Sequence, residues 1–438
     1  MIKQFTFEQF KSYMKSSLPL GPLTLLIGAN ASGKSNAIEG IRLLSWMAKG
    51  QRLSDIMGLL EKGTLQIRGG SSDFGYNDNP EFIIGCSIED SQVEKWTDLS
   101  VTLRNDEQGL TILDESIGNP EVRFPLYRVQ KQTDKSFGHD LHVAYNNFAA
   151  GGKKPQIICQ NLQAVFTQLT TPARFEHGHQ KAQKIIPLVT QTFQKSLDHI
   201  LFLDPNPSQM RRYAFINDKE MRGDGANLSS VLFSLCEDPS TKLKVLEFIR
   251  SLPEQNIDDI DFIKTPRNEV LVELLETFTK NKRKIDATIL SDGTLRVLAI
   301  AAAVLSAPVG SLVIIEEIDN GVHPSRAEIL LKNIQATASA RNLQILLTTH
   351  NPALMNAIPD SALADVVFCY RDLQKGDSRL IRFENMQEYP EIVARGALGT
   401  LVTQGIVDRY LKNQRSQEEK QSEQLKWLAD FTRKVEGK

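Results

Sequence analysis

Apolar runs and amphipathic stretches divide this chain into elements before any chemistry is considered. Leu23-Thr24-Leu25-Leu26-Ile27 is a short continuous apolar run of the kind that forms a buried strand, and Asn36 to Leu44 continues beyond it as an amphipathic helix. Ser311 to Ile315 reads as a second buried strand, followed by a helix of about fifteen residues and then a third strand, Leu343 to Thr349. Strand, helix, strand in this order predicts a parallel sheet in an α/β fold.

The remaining chain has other rhythms. Between roughly 80 and 175, alternating stretches such as Phe82 to Ile88 and Ser100 to Arg104 predict antiparallel β structure. From about Gln180 to Leu252 the pattern is helical, clearest over Lys184 to Leu201 and Asn227 to Leu235, with Gly and Pro turns at 203–207 and 223–229. No heptad pattern persists there for three or four repeats, which points to a short helical lid rather than a coiled-coil arm. After Asp365 come an apolar run, Val366 to Tyr370, a hairpin-like Gln374-Lys375-Gly376-Asp377, and a final amphipathic helix at about 418–435 carrying Leu425, Trp427, Leu428 and Phe431. That helix either docks on its own head or grips a partner.

Composition narrows the classes. The 438 residues are 41% hydrophobic, enough for a sizeable core in more than one structural unit. A net charge of −2 excludes a global pull toward nucleic acid or membrane, so any such contact is local. Lys280-Asn281-Lys282-Arg283-Lys284 and Arg211-Arg212 suit nucleic-acid phosphates, but with a near-neutral chain a solvated hairpin tip is the preferred reading. Arg123, Lys131 and Lys135 read as solvated strand positions. The cysteines, Cys86, Cys159, Cys236 and Cys369, form no C-x-x-C pair, and no apolar run of about 18 residues occurs, so a reducing cytoplasm and no membrane span are expected. Glu176-His177-Gly178-His179 lacks a third ligand at metal-site spacing and reads as an exposed loop.

Chemistry enters at residues 28–35, GANASGKS, between the first strand and its helix. Such a loop wraps a polyphosphate with backbone N–H groups; Lys34 reaches the terminal oxygens and the Ser35 hydroxyl is placed for Mg²⁺. Gly28, Asn30, Ser32, Gly33, Lys34, Ser35 and Asn36 are the expected nucleotide-binding residues. Ala29 and Ala31 stand where glycine is common, so the backbone there is expected to avoid glycine-only angles. Two acids, Glu316 and Glu317, end the second strand: the first is assigned to the Mg²⁺ shell and the second to the attacking water. His350, at the end of the third strand, is placed on the same sheet edge. Leu290-Ser291-Asp292-Gly293-Thr294 opens an apolar helix, an arrangement that serves as an N-cap or an anion site.

Together, Glu8-Gln9-Phe10-Lys11-Ser12-Tyr13, the phosphate loop, LSDGT, the acid pair with the following DNGVHP, and TTHNP at 348–352 resemble ABC-type ATPases of the SMC, RecF and OLD group. More narrowly they resemble the compact AAA ATPases of bacterial anti-phage defence operons. The resemblance implies an α/β ABC-type P-loop head with a parallel core sheet, an antiparallel β subdomain, a short helical insertion and a C-terminal helical tail. The implied limits are 1–80 for the first lobe, 81–175 for the β subdomain, 176–265 for the lid, 266–370 for the second lobe and 371–438 for the extension.

Further implications concern the site. Ser291, Asp292 and Gly293 would meet the γ-phosphate of ATP held by a second subunit, so that a homodimer or higher oligomer closes head to tail on two nucleotides. His323 falls at the D-loop position and His350 at the switch histidine, making Glu317, His350 and Lys34 the catalytic set, with Ser35 and Glu316 on Mg²⁺. Glu316 replaces the commoner aspartate and Asp292 the first signature glycine. Gln66 is the nearest Q-loop candidate, on an expected strand before a glycine turn, and is left outside the catalytic set. With no Toprim cluster, H-N-H arrangement or second phosphate loop, the implied partner is a separate effector, a Toprim-type or H-N-H nuclease. A RecF-like ATPase that acts on DNA directly is the alternative.

Overall fold

Six strands make the core sheet, in the spatial order Leu201–Leu203, Leu312–Ile315, Gln344–Thr349, Leu23–Ile27, Val367–Arg371 and Ser378–Arg382. The first five are parallel and only the last pairing is antiparallel. Side chains alternate across it: Leu312 and Ile314 pack with Leu26 and Leu346 in one core, while Val313 and Ile315 pack with Leu25 and Leu347 in the other. A sheet buried on both faces explains why its strands read as unbroken apolar runs. The computed structural model describes residues 1–107, 109–130, 138–250, 256–278, 281–320, 324–386 and 388–412.

Eight antiparallel strands form the second sheet, in the order Tyr13–Pro19, Ile2–Phe10, Glu81–Ile88, Asp98–Asp106, Gly109–Gly118, Tyr127–Val129, Asp140–Tyr145 and Gln156–Gln160. Helix Lys34–Ala48 shares one core with this sheet and with one face of the parallel sheet. Gly40 permits the close approach, because a Cβ there would stand 2.6 Å from the Phe7 ring.

The opposite face of the parallel sheet is covered by helix Asp292–Ser306, whose residues from Leu295 to Leu305 are almost all buried. Its alanines, Ala299 and Ala301 to Ala303, let neighbours pack closely at little cost in side-chain entropy. A small sheet of Ala214–Phe215, Glu269–Phe278, Ile257–Lys264 and Asn281–Asp286 lies beyond, together with helices Leu228–Cys236 and Pro239–Ile249.

Several boundaries differ from the sequence expectation. The helix expected over 184–201 spans Gln180–Asp198, and Leu201–Leu203 instead joins the core sheet beside Val313–Ile315. Three residues are too few to show a period, so only the partner strand identifies them. The expected lid, 176–265, therefore contributes a core strand, and Ile257–Lys264 pairs with Glu269–Phe278 across the expected boundary at 265. Ile2–Phe10 likewise pairs with Glu81–Ile88 in the antiparallel sheet, across the expected boundary at 80. Gln66 lies in a loop, exposed between buried Leu65 and Ile67, and not on a strand. Lys131, Lys135, Lys280, His323 and the helix expected at 418–435 lie outside the described residues. Among the described residues no helix is long and apolar enough to cross a membrane.

Candidate nucleotide site

Strand register assembles the site. Ile27 pairs with Thr349 on one side and Phe368 on the other, so Gly28 leaves the sheet between His350 and Cys369. A Cβ at Gly28 would stand 2.3 Å from the Cys369 carbonyl oxygen, and Gly33 has φ +119° with Ser378 Oγ 2.5 Å from its own Cβ position. These two positions require glycine. Ala31 departs from expectation: its φ is +62°, in the left-handed region, a conformation that costs an alanine roughly 1–2 kcal/mol.

The loop is braced from behind. Asn36 Nδ2 donates to Ser12 Oγ at 2.7 Å, and Ser378 Oγ lies 2.6 Å from the Ser32 carbonyl oxygen and 2.8 Å from Ser12 Oγ. Ser32 is 5% exposed, and its own Oγ has no partner among the described residues. A buried hydroxyl with unmet capacity suits a loop built to surround phosphate oxygens. Lys34 Nζ donates to the Gly28 and Ala29 carbonyls at 2.6 and 3.1 Å. Burial lowers the Lys34 ammonium below the ordinary lysine range, while Cys369, Glu317 and Asp319 act in the opposite direction.

A cleft of about 960 Å³ brings Lys34 and Ser35 together with Glu316, Glu317 and His350. Asn30, Ser32, Gly33 and Asn36 also border it. Glu316 N donates to the Leu203 carbonyl at 3.1 Å, and Arg42 Nη2 donates to its Oε1 at 3.0 Å. Burial raises the Glu316 carboxyl above the usual range, and the Arg42 guanidinium opposes that rise. Glu317 sits at φ +47°, its N–H donating to Thr348 Oγ1 at 2.8 Å and its Oε2 accepting from Asn320 Nδ2 at 2.6 Å. His350 Nδ1 faces Asp319 Oδ2.

Beside the cleft, Ser35, Glu316, Asp204 and Gln66 line a side cavity of about 410 Å³. Their hydroxyl, carboxylate and amide oxygens are donors of the kind that suits a small hard cation such as Mg²⁺, although Arg42 and Arg68 line the same cavity and Arg42 is bonded to Glu316. Asp204 was missed in the sequence; its signal was an acid directly after the apolar triplet Leu201-Phe202-Leu203, the same pattern that Glu316 ends. A second missed group is Glu39, buried in helix Lys34–Ala48, whose carboxylate takes Lys11 Nζ at 2.5 Å and Arg68 Nε at 2.6 Å. It fixes two cations, Lys11 and Arg68, on the border of the phosphate cleft.

Ser291, Asp292 and Gly293 are not among the residues lining that cleft. Ser291 caps helix Asp292–Ser306, its Oγ accepting from Thr294 N at 3.1 Å. Asp292 accepts from Arg211 Nη2 at 2.6 Å. The basic run is partly committed, because Lys284 Nζ pairs with Asp261 at 2.9 Å and Glu273 at 2.7 Å.

Solved structures similar to this chain over most of its length include three SMC heads. They are the SMC head bound to the C-winged helix domain of ScpA (14% identity, 87% of this chain and 97% of that one, TM-score 0.45), the SMC head domain from Thermotoga maritima (12%, 87% and 98%, TM-score 0.41), and the Smc head domain with an extended coiled coil bound to the C-terminal domain of ScpA, derived from Pyrococcus furiosus (14%, 90% and 99%, TM-score 0.44). No curated protein matches. A family model described as "AAA domain, putative AbiEii toxin, Type IV TA system" matches residues 23–116 and 176–356, well over half of the chain and both halves of the site. The chain belongs to this AAA-domain family, with its phosphate loop, signature-like helix start, acid pair and histidine in ABC-type order.

Proposed function

We propose that the protein is a Mg²⁺-dependent ATPase whose two active centres form between two copies of the chain, and that it acts as a switch on a separate effector. One observation carries this reading: the phosphate loop, the acid pair and His350 meet in one cleft, while the Ser291 helix start is not part of it. In this reading Ser291, Asp292 and Gly293 would complete the site of a second chain rather than their own.

In this reading Gly28 to Asn36 hold the triphosphate, and Lys34 offsets its charge. Ser35 and Glu316 hold Mg²⁺, with Asp204 and Gln66 beside them; the ion, when bound, would neutralise charge on the phosphates. Glu317 orients and deprotonates the attacking water, and His350, steadied by Asp319, lies by the same phosphate. The effector is the one the sequence resemblance implies, a Toprim-type or H-N-H nuclease in anti-phage defence.

Complementation tests the composite site. Lys34→Ala and Ser291→Arg should each abolish turnover alone, and mixing equal amounts should restore about a quarter of parental activity, since half of the pairs then hold one intact centre. No recovery on mixing, or full activity in a strictly monomeric preparation, overturns the proposal.

A further inference from the structure

Arg211 ends a strap that begins at the acid edge. Asp204 follows core strand Leu201–Leu203, and the chain then passes through Pro205 to the short helix Pro207–Met210, capped by Asn206. The strap is tied down along its length: Asp204 N donates to the Gly223 carbonyl and Asn206 N to the Asp224 carbonyl, both at 2.9 Å. Met210 is fully buried, and Gly225, at φ +76°, would place a Cβ 2.8 Å from it. Two prolines and a buried anchor leave Arg211 little freedom of origin.

From there Arg211 Nη2 donates to the Leu290 carbonyl at 2.9 Å and to Asp292 Oδ1 at 2.6 Å. One guanidinium thus grips the residue before Ser291 and the residue after it. Asp292 makes that grip consequential. A carboxylate in the first turn favours an isolated helix, but it repels a phosphate brought to the same free N–H groups. A signature of glycines carries no such charge, whereas this one does.

We infer that Arg211 is the positioning residue of the signature edge: it neutralises Asp292 and fixes Ser291, so that the helix start can accept the phosphate end of a nucleotide held by a second copy of the chain. The inference rests on the composite-site reading above. Because the pair is partly exposed, with side chains 30% and 65% accessible, its loss should leave the fold intact.

The full-length protein tests it through three readouts: steady-state ATP hydrolysis, ATP-induced self-association followed by light scattering, and binding of a fluorescent ATP analogue at concentrations where the chain is monomeric. Arg211→Ala should lower kcat about tenfold and weaken association, with analogue binding unchanged. Adding Asp292→Asn to that variant should recover most of the loss, since it removes the charge that Arg211 neutralises, and Arg211→Lys alone should keep most of the activity. Parental kcat and association in Arg211→Ala, or a deficit that Asp292→Asn does not relieve, overturns the inference. The two proposals fail differently. Parental ATP hydrolysis without self-association sinks the composite site itself, whereas a silent Arg211→Ala in a protein that associates and is inactivated by Ser291→Arg sinks only the role of Arg211.

Discussion

His350 Nδ1 lies 3.3 Å from Oδ2 of Asp319, whose side chain is 5% exposed while the imidazole is 60% exposed. A buried carboxylate against one ring nitrogen favours the proton there and fixes the plane of the ring. Asp319→Asn should therefore act through His350, lowering kcat about tenfold while nucleotide affinity stays within about twofold of the parent. Equilibrium binding measured beside steady-state hydrolysis separates the two, and a parental kcat would detach Asp319 from turnover.

Glu317 is held in a backbone conformation uncommon for glutamate, with its N–H on Thr348 and its carboxylate on Asn320. A residue restrained at both ends suits the task of orienting a water. Glu317→Gln keeps the shape and an acceptor for Asn320 but loses the base. Hydrolysis should fall by about a hundredfold or more, and an ATP-bound pair should accumulate on size-exclusion chromatography. A variant that turns over at the parental rate removes Glu317 from the mechanism.

What could be read from the sequence was what is contiguous. The phosphate loop, the acid pair, His350 and the strands carrying them each lie within a few residues, and burial on both faces made those strands conspicuous. Residues whose role depends on register were hidden. Asp204 becomes a neighbour of Glu316 only because Leu203 pairs with Ile315, and Glu39 gains its meaning from Lys11 and Arg68, which arrive from distant loops. The left-handed Ala31 was misjudged because local propensity alone opposes that conformation.

Packing against strand Val367–Arg371 makes Gly28 more than a flexible position. Its missing side chain is the space occupied by the Cys369 carbonyl, and backbone of a central strand cannot yield as a flexible side chain does. Gly28→Ala should displace the loop from strand Val367–Arg371 and weaken ATP binding about tenfold or more, with a loss of stability on the order of 1–3 kcal/mol. Gly58→Ala, where an added Cβ meets nothing within 4 Å, is the matched control and should bind ATP as the parent does. Parental ATP affinity in Gly28→Ala would refute the close-packing account.

Far from the nucleotide cleft, Glu115 is fully buried in the antiparallel sheet. Its carboxylate accepts from Tyr127 Oη at 2.6 Å and from Val165 N and Phe166 N at 2.8 and 2.6 Å. Burial pushes the carboxyl up to about 7 despite these three donors, with Asp114 adding to the rise. A folded value above the unfolded one means that the folded chain keeps its proton longer, so stability is fullest below the unfolded value near 4.5 and declines as pH rises through 7. The decline attributable to this group is on the order of 3 kcal/mol when complete. Glu115→Gln cannot ionise and offers fewer acceptor sites to the three donors, so it should start from a lower urea midpoint at pH 5 but lose less than the parent between pH 5 and pH 8. Parallel pH dependences in the two proteins would show that Glu115 is already ionised throughout that window, its hydrogen bonds having overcome its burial.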